Sequence, residues 1–174
     1  KKTILHHNVY GGNNGIGCNA IHYMDIFEYL TESTICKYSY SLKEDKVDNR
    51  RGKDYKDVNG YLLFENEQSD QLSVYFDPSY RAGITENIEF DNEKYILSAR
   101  SSKEYHVKNG DVFEKDYKVL YASELTKILV KDIINNKSLL PSIQETKNVH
   151  GYLFKVIMLT LEGKFDRNVL CPIT

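Results

Sequence analysis

A glycine- and asparagine-rich run that passes directly into a helix-like pattern, over residues 11–30, constrains this chain more than any other feature. The run reads Gly-Gly-Asn-Asn-Gly-Ile-Gly. Glycine tolerates positive φ and has no Cβ, so such a loop lets another group approach the backbone closely. Apolar residues then recur at every third position, at Ile21, Met24, Phe27 and Leu30. That spacing predicts an amphipathic helix with an apolar stripe.

The same helix carries a titratable pair. His22 and Asp25 are three residues apart, so they share a helix face beside the apolar stripe. The loop lets a ligand approach the backbone closely, and the start of the helix after it carries an imidazole and a carboxylate. This arrangement is reasonable for the wall of an active site. The structural alternative is that His22 is a histidine on the helix face that only helps to form the wall of the core.

The middle of the chain predicts antiparallel strands. Residues 3–10 lead into the glycine loop, and polar and apolar residues alternate over residues 35–42. Three hairpins follow, over residues 61–77, 84–100 and 103–118. Asn109-Gly110 in the last of them is a strong two-residue turn signal.

The last third predicts two helices. Leu125, Ile128, Leu129 and Ile133 are at helical spacing within residues 122–136. Ser142 and Glu145 form a capping box that begins a second helix, whose apolar positions are Val149, Leu153, Val156 and Ile157. The expected class is therefore α+β, with a mostly antiparallel sheet.

Composition excludes several classes of function. The 174 residues are 41% hydrophobic, which suffices for one domain with a buried core. The net charge is −2, so the chain has no excess of basic residues of the kind that binds nucleic acid. No apolar run approaches the ~20 residues of a membrane span, and no signal-peptide core is present, so we expect a cytoplasmic protein with no membrane contact.

The cysteines and the first histidines predict no metal site. Cys18, Cys36 and Cys171 are widely spaced and odd in number, which argues against a disulfide framework and against structural zinc. His6 and His7 are adjacent, so in a strand they point to opposite faces and cannot easily bind one metal ion. They are expected to be ordinary strand positions.

Residues 11–30 also resemble the signature that opens the C-terminal domain of the glucose–fructose oxidoreductase/inositol dehydrogenase (Gfo/Idh/MocA) family. The usual pattern there is Gly-Gly-Gly-x-Leu-x-Asp-x-Gly-x-His-x-x-Asp. The stretch from Ala20 to Asp25 matches its end, with His22 at the histidine. The position four before that histidine, usually Asp, is Cys18. Agreement over the rest of the chain is a matter of pattern and is weaker.

The resemblance implies an open-faced, mostly antiparallel sheet with helices packed on one face. It also implies roles for particular residues. His22 would be the general acid/base and Asp25 would orient it. The residues implied for substrate binding are Asn13, Asn14, Asn19, Arg50 and Arg51. Gly11 and Gly12 would approach the nicotinamide. For Arg50 and Arg51, the alternative is an ordinary solvated loop.

The resemblance also implies a cofactor and partners. Family members bind NAD or NADP through an N-terminal Rossmann domain, and no strand–GxGxxG–helix unit of that kind is present in these residues. We therefore expect residues 1–174 to be a single C-terminal substrate-binding and oligomerisation domain, cut out of a longer protein and inactive alone. The substrate would be sugar-like. The exposed sheet face, with Tyr38, Tyr40, Tyr61 and Tyr75, would form a homo-oligomer.

Two other functions remain open at this stage. One is a stand-alone binding or assembly module that has lost the nucleotide domain and the family's aspartate. The other is a small hydrolase that uses Cys18 and His22, which lie one helical turn apart. No third orienting group or oxyanion element supports the hydrolase.

Overall fold

The computed structural model describes residues 4–12, 15–45, 55–81, 83–118, 120, 122–138 and 140–161. Its strands are β1 (His6–Gly11), β2 (Ile35–Glu44), β3 (Val58–Asn66), β4 (Gln71–Phe76), β5 (Thr85–Phe90), β6 (Glu93–Ser98), β7 (Lys103–Lys108) and β8 (Asp111–Asp116). Its helices are α1 (Ile16–Thr31), α2 (Ala122–Ile134) and α3 (Ile143–Thr160). The positions of these elements confirm the strands, hairpins and helices expected from the sequence.

The strands form one sheet in the order β2-β3-β4-β1-β5-β6-β7-β8. Every neighbouring pair is antiparallel except β1 and β4, which are parallel. Parallel neighbours need a crossover connection, and here α1, β2 and β3 lie between the two strands in sequence. The expected α+β class, with a mostly antiparallel sheet, is confirmed.

The main core lies between α1, α3 and one face of the strands β1 to β4. Alternate residues of these strands are fully buried, as period-two alternation requires: Val9, Leu62, Phe64, Leu72, Val74 and Phe76. From α3, the four apolar positions expected from the sequence are buried with them. The capping box is also confirmed, because Ser142 Oγ accepts from the Glu145 N–H and the Glu145 carboxylate accepts from the Ser142 N–H.

The buried face of α1 differs from the expected stripe. Ala20, Met24 and Phe27 are fully buried, whereas the side chain of Leu30 is 42% exposed and Ile21 is only partly buried. A helix turns by about 100° per residue, so a step of three falls about 60° short of a full turn. Three such steps carry Leu30 to the side of the helix opposite Ile21. The apolar stripe therefore follows steps of four as well as three.

The register corrects the expected positions of two tyrosines. Tyr38 pairs with Phe64 and Tyr40 with Leu62, so both lie on the helix-covered face of the sheet. The Tyr38 ring contacts the ring of Tyr152 in α3, with centroids 5.6 Å apart. Their expected place on the open face is therefore wrong, because alternate residues of a strand share a face and these two share it with core positions.

Strands β5 to β8 form an extension of the sheet, here called the wing. Among the described elements, no helix packs closely on either of its faces, and the residues of β5 and β6 are half-buried throughout. Cross-strand contacts hold it together: the Tyr95 and His106 rings stack with centroids 4.3 Å apart. Glu93 accepts from Tyr95 and Lys108 and lies 2.7 Å from His106 Nε2. These bonds lower the pKa of Glu93 to about 2.

The β7–β8 turn confirms the expected hairpin. Asn109 and Gly110 both have positive φ, at 53° and 90°. Positive φ at both central residues is what a type I′ turn requires, and Asn-Gly adopts it with little strain.

Replacement of Phe27 by alanine tests the observed helix face. Phe27 is fully buried, so Phe27→Ala should lower the free energy of unfolding by about 3–5 kcal/mol through lost burial and a residual cavity. Leu30→Ala is the control, because its side chain is 42% exposed and should cost under ~1 kcal/mol. Urea denaturation measures the free energy of unfolding of both variants. An equal decrease in the two variants would contradict the observed orientation of α1.

Candidate functional site

The glycines at the end of β1 permit close packing within the chain itself. A Cβ on Gly11 would overlap the Phe76 ring, and a Cβ on Gly12 would overlap the carbonyl oxygen of Tyr80. Both glycines are buried. Intramolecular packing against β4 and the turn after it therefore accounts for these two residues, whereas their expected approach to a nicotinamide stays a prediction.

The N-terminus of α1 is capped by a carboxylate from elsewhere in the chain. Gly15, the N-cap residue, has φ 68° and no side chain to accept a hydrogen bond. Asp57, just before β3, accepts from the backbone of Gly17 and from the Val58 N–H. A carboxylate here satisfies otherwise unpaired N–H groups and interacts favourably with the helix dipole. Burial raises the pKa of Asp57, and these bonds partly offset that rise.

His22 lies in the second turn of α1 with its side chain exposed, on a helix whose other side is buried against the sheet. Cys18, one turn earlier, is partly exposed. Asn19 is half-buried, and its Nδ2 donates to the Gly15 carbonyl at 2.9 Å, which helps to close the first turn. His22 therefore has the solvent access that a proton-transfer group needs, while one amide donor of Asn19 is used within the helix.

Asp25 is within electrostatic reach of two histidines. Its pKa is raised by burial, and the charges of His150 in α3 and His22 act in the opposite direction. No hydrogen bond or ion pair joins His22 to Asp25 among the described residues, so the pair interacts through space. The structure thus brings together the two residues expected from the sequence and adds His150. His150 was not among the candidates from the sequence. The feature that could have indicated it is its position next to Val149, an apolar residue of α3 that is buried.

Four of the residues expected to bind substrate, Asn13, Asn14, Arg50 and Arg51, lie outside the described residues. Their roles stay predictions.

A second titratable cluster lies on the helix-covered face of β1. His7 is fully buried, and its Nε2 lies 3.3 Å from Glu86 Oε2 of β5, while its buried Nδ1 has no hydrogen-bond partner. His6 is exposed, which confirms that the adjacent histidines face opposite sides. The Tyr23 ring of α1 meets the His7 ring edge-on. Burial and the charge of Glu86 raise the pKa of Tyr23.

Neither a cluster of metal-binding side chains nor a membrane-spanning helix is found in the described part of the chain. No three His, Cys, Asp or Glu side chains there come together to hold a metal ion. None of the described helices is long and apolar enough to cross a bilayer.

Comparison with known proteins gives structural matches alone. The sequence matches no family model and no curated protein. Among solved structures, a super-repressor mutant of Gal80p from Saccharomyces cerevisiae superposes with a TM-score of 0.62 at 13% identity, over 94% of this chain and 57% of that chain. The UDP-N-acetylglucosamine 3-dehydrogenase GnnA from Acidithiobacillus ferrooxidans gives 0.62 at 8% identity, over 88% and 52%. An NAD binding oxidoreductase from Klebsiella pneumoniae gives 0.61 at 9% identity, over 94% and 58%.

The chain has the fold of Gfo/Idh/MocA-type oxidoreductases. The resemblance read from residues 11–30 is therefore confirmed at the level of the fold. This chain spans little more than half the length of the proteins it matches.

Substitution of Gly15 tests the tight start of α1. Gly15 has φ 68°, and a Cβ there would overlap the Asp57 carboxylate. Gly15→Ala should therefore lower the free energy of unfolding by at least roughly 1–2 kcal/mol, the cost of left-handed backbone for a residue with a Cβ.

Gly151→Ala is the matched control for this measurement. Gly151 lies within α3 with no atom near its missing Cβ, so alanine should raise the free energy of unfolding by about 0.5–1 kcal/mol. Thermal or urea denaturation compares the two variants. A Gly15→Ala protein as stable as the parent would show that the helix start does not need glycine.

Proposed function

We propose that this chain is the substrate-binding and oligomerisation domain of a cytoplasmic NAD- or NADP-dependent oxidoreductase that acts on a hydroxyl of a sugar, nucleotide sugar or polyol. The observation that carries the proposal is the position of His22. It is exposed on the second turn of α1, at the histidine of the Gfo/Idh/MocA signature, in a chain with the fold of those enzymes. The description of GnnA as a UDP-N-acetylglucosamine 3-dehydrogenase supports a sugar-type substrate.

The residues described here do not fit the pyrophosphate of a dinucleotide. A helix N-terminus after a glycine loop is a favourable anion site when its N–H groups are open. At α1 the Asp57 carboxylate already accepts from the Gly17 N–H, and its negative charge would repel a phosphate. In this proposal the dinucleotide is therefore held by a separate nucleotide-binding domain, in agreement with the share of the matched proteins that the chain spans.

The proposed task of this chain in the reaction is proton transfer. Oxidation of a hydroxyl releases its proton, and histidine suits that step because its ordinary pKa lies near neutral pH. Asp25 is half-buried one turn after His22, and the two side chains interact electrostatically, so Asp25 would help to orient the imidazole in this proposal. Cys18 occupies the position of the family's aspartate, and a thiol is a weak substitute for a carboxylate acceptor.

That departure at Cys18 favours a second candidate function, a non-enzymatic binding module. The fold is also found in Gal80p, whose structure is described as that of a super-repressor mutant. Oxidoreductase activity of the intact protein with a dinucleotide would support the first candidate. Ligand binding without turnover would support the second.

Replacement of His22 in the intact parent protein tests its role. His22→Ala should lower turnover by about a hundredfold or more, the usual contribution of a general acid/base, while dinucleotide affinity stays unchanged. His6→Ala is the control, because His6 is also exposed but lies on the opposite face of the sheet from α1. Steady-state kinetics and a fluorescence titration of dinucleotide measure both quantities. Unchanged turnover in His22→Ala would remove His22 from the mechanism.

The open face of the sheet is proposed to form a homo-oligomer. Tyr61 pairs with Tyr75 and Tyr75 with Tyr10, which puts the three rings in a row across β3, β4 and β1. Each is 36–41% exposed, on the face that none of the described helices covers. Tyrosine is enriched at interfaces, where its ring is apolar and its hydroxyl can bond.

Charge placed on this face should dissociate the oligomer. The chain should be a dimer or larger by light scattering at ~100 µM, well above the dissociation constant of a standard-size interface. Tyr61→Glu with Tyr75→Glu should convert it to a monomer. Tyr40→Glu should not, because Tyr40 is 39% exposed but lies on the other face. A monomeric parent chain would overturn the proposal.

A further inference from the structure

Strand β8 lies at an edge of the sheet. It has β7 on one side, and none of the other described strands lies on its other side. All six of its residues are exposed, including the apolar side chains of Val112 at 64% and Phe113 at 56%. An exposed edge carries backbone N–H and C=O groups that a further strand can pair with. Strand β8 is therefore able to accept another strand.

The pairing of β8 with β7 determines which backbone groups point outward. Just after the ladder, the Tyr117 N–H donates to the Ser102 carbonyl at 2.8 Å. Bonded and non-bonded pairs alternate along an antiparallel ladder, so every second residue before Tyr117 also bonds to β7. These residues are Lys115, Phe113 and Asp111. The alternate residues, Val112, Glu114 and Asp116, direct their N–H and C=O groups away from β7.

A row of rings crosses the wing and ends at this edge. Phe90 stacks on Tyr95 with centroids 5.8 Å apart, and Tyr95 stacks on His106 at 4.3 Å. His106 in turn contacts Phe113 of β8, with centroids 5.9 Å apart. Phe113 is the last ring of the row, and its 56% exposure leaves its outer side open. A further ring beyond the edge would continue the row.

The charges of β8 differ in whether the chain already pairs them. Lys103 of β7 lies 2.7 Å from Glu114 and 2.8 Å from Asp116. Lys115 Nζ, by contrast, lies 4.0 Å from a carboxylate of β7, and its side chain is 76% exposed. Asp111 forms no ion pair with another residue that the structure describes. Asp111 and Lys115 are thus the β8 charges best able to pair with another molecule.

We propose that β8 pairs with β8 of a second copy of this chain, antiparallel about a two-fold axis at Phe113. In this register Phe113 lies opposite Phe113 of the other copy, and Asp111 of each copy lies opposite Lys115 of the other. Val112 lies opposite Glu114, and both have outward backbone groups, so each such pair exchanges two hydrogen bonds. The register therefore satisfies the backbone, joins the two ring rows and pairs the two available charges.

The neighbouring registers lack this complementarity. A two-fold axis at Glu114 would bring Glu114 against its own copy and Val112 against Asp116. An axis at Val112 would bring Phe113 against Asp111 and leave the end of β8 without a partner strand. Opposite charges across two strands stabilise the pairing and like charges oppose it. The charges of β8 thus select one register, although charge on an edge strand disfavours most other partners.

The resulting dimer is closed, because the same strand serves as the interface in both copies. It joins the two sheets into one and uses neither the open sheet face nor His22. It stands whether or not the chain belongs to an oxidoreductase, and it can coexist with the contact through Tyr10, Tyr61 and Tyr75.

Disulfide formation tests the register in the 174-residue chain with Cys18, Cys36 and Cys171 replaced by serine. In the proposed register the two Phe113 Cα atoms are about 4.5 Å apart, within the range that a disulfide spans. Phe113→Cys at ~100 µM, a concentration suited to a small interface, should therefore form a linked dimer under air with a copper–phenanthroline catalyst. Non-reducing electrophoresis measures the rate.

Val112→Cys is the matched control, because Val112 is the next residue and is similarly exposed. Its Cα atoms in the two copies would be about 8 Å apart, since they are offset by two residues along the strands. That distance exceeds the ~7 Å limit for a disulfide. Linkage through Phe113→Cys should be at least roughly tenfold faster than through Val112→Cys. Equal rates, or faster linkage through Val112→Cys, would overturn the proposal.

A charge exchange in the Phe113→Cys protein separates pairing from misfolding. Asp111→Lys alone or Lys115→Asp alone should slow the linkage at least roughly fivefold, because each puts like charges opposite each other twice in the dimer. The two substitutions together should restore the rate, since opposite charges then face each other again. Circular dichroism checks that each variant remains folded. Failure of the double variant to recover, or single variants as fast as the parent, would show that β8 does not pair in this register.

Discussion

The close packing of α1 on the centre of the sheet is the constraint on which the rest of the structure depends. Gly11 and Gly12 let β1 pass against Phe76 and the Tyr80 carbonyl, and Gly15 begins the helix beside Asp57. From there α1 buries Ala20, Met24 and Phe27 against the strands below it. This crossover is also what makes β1 and β4 parallel neighbours in a sheet that is otherwise antiparallel.

The same packing decides how the candidate site is presented. Because one side of α1 is buried, His22 on the other side is exposed to solvent. Asp25 is within electrostatic reach of His22 and of His150 in α3. The cap supplied by Asp57 makes the start of the helix unfavourable for an anion. In the function proposed for this chain, the helix therefore carries a proton-transfer residue, His22, and does not bind a phosphate.

The described helices cover the sheet unevenly, and the surfaces that they leave open are those available to partners. Strands β2, β3 and β4 carry α1 and α3, whereas the wing is held by its own cross-strand contacts, centred on Glu93 and the stacked rings of Tyr95 and His106. Apolar surface is exposed to water at three places in the described part of the chain. These are the half-buried residues on both faces of the wing, the row of Tyr10, Tyr75 and Tyr61, and the open side of α2. Where such apolar surface is contiguous, it typically marks contact with another protein surface.

The sequence by itself determined the secondary structure, the mixed class, the hairpin at Asn109-Gly110, the capped start of α3 and the proximity of His22 to Asp25. These follow from local rules: turn residues need particular φ values, and periodicity selects helix or strand. Only the tertiary structure decided that Leu30 is exposed, that Tyr38 and Tyr40 face the helices, that Asp57 caps α1 and that His150 lies near Asp25. Each of these depends on the register between strands or on contacts between residues far apart in the chain, and a local pattern carries no information about either.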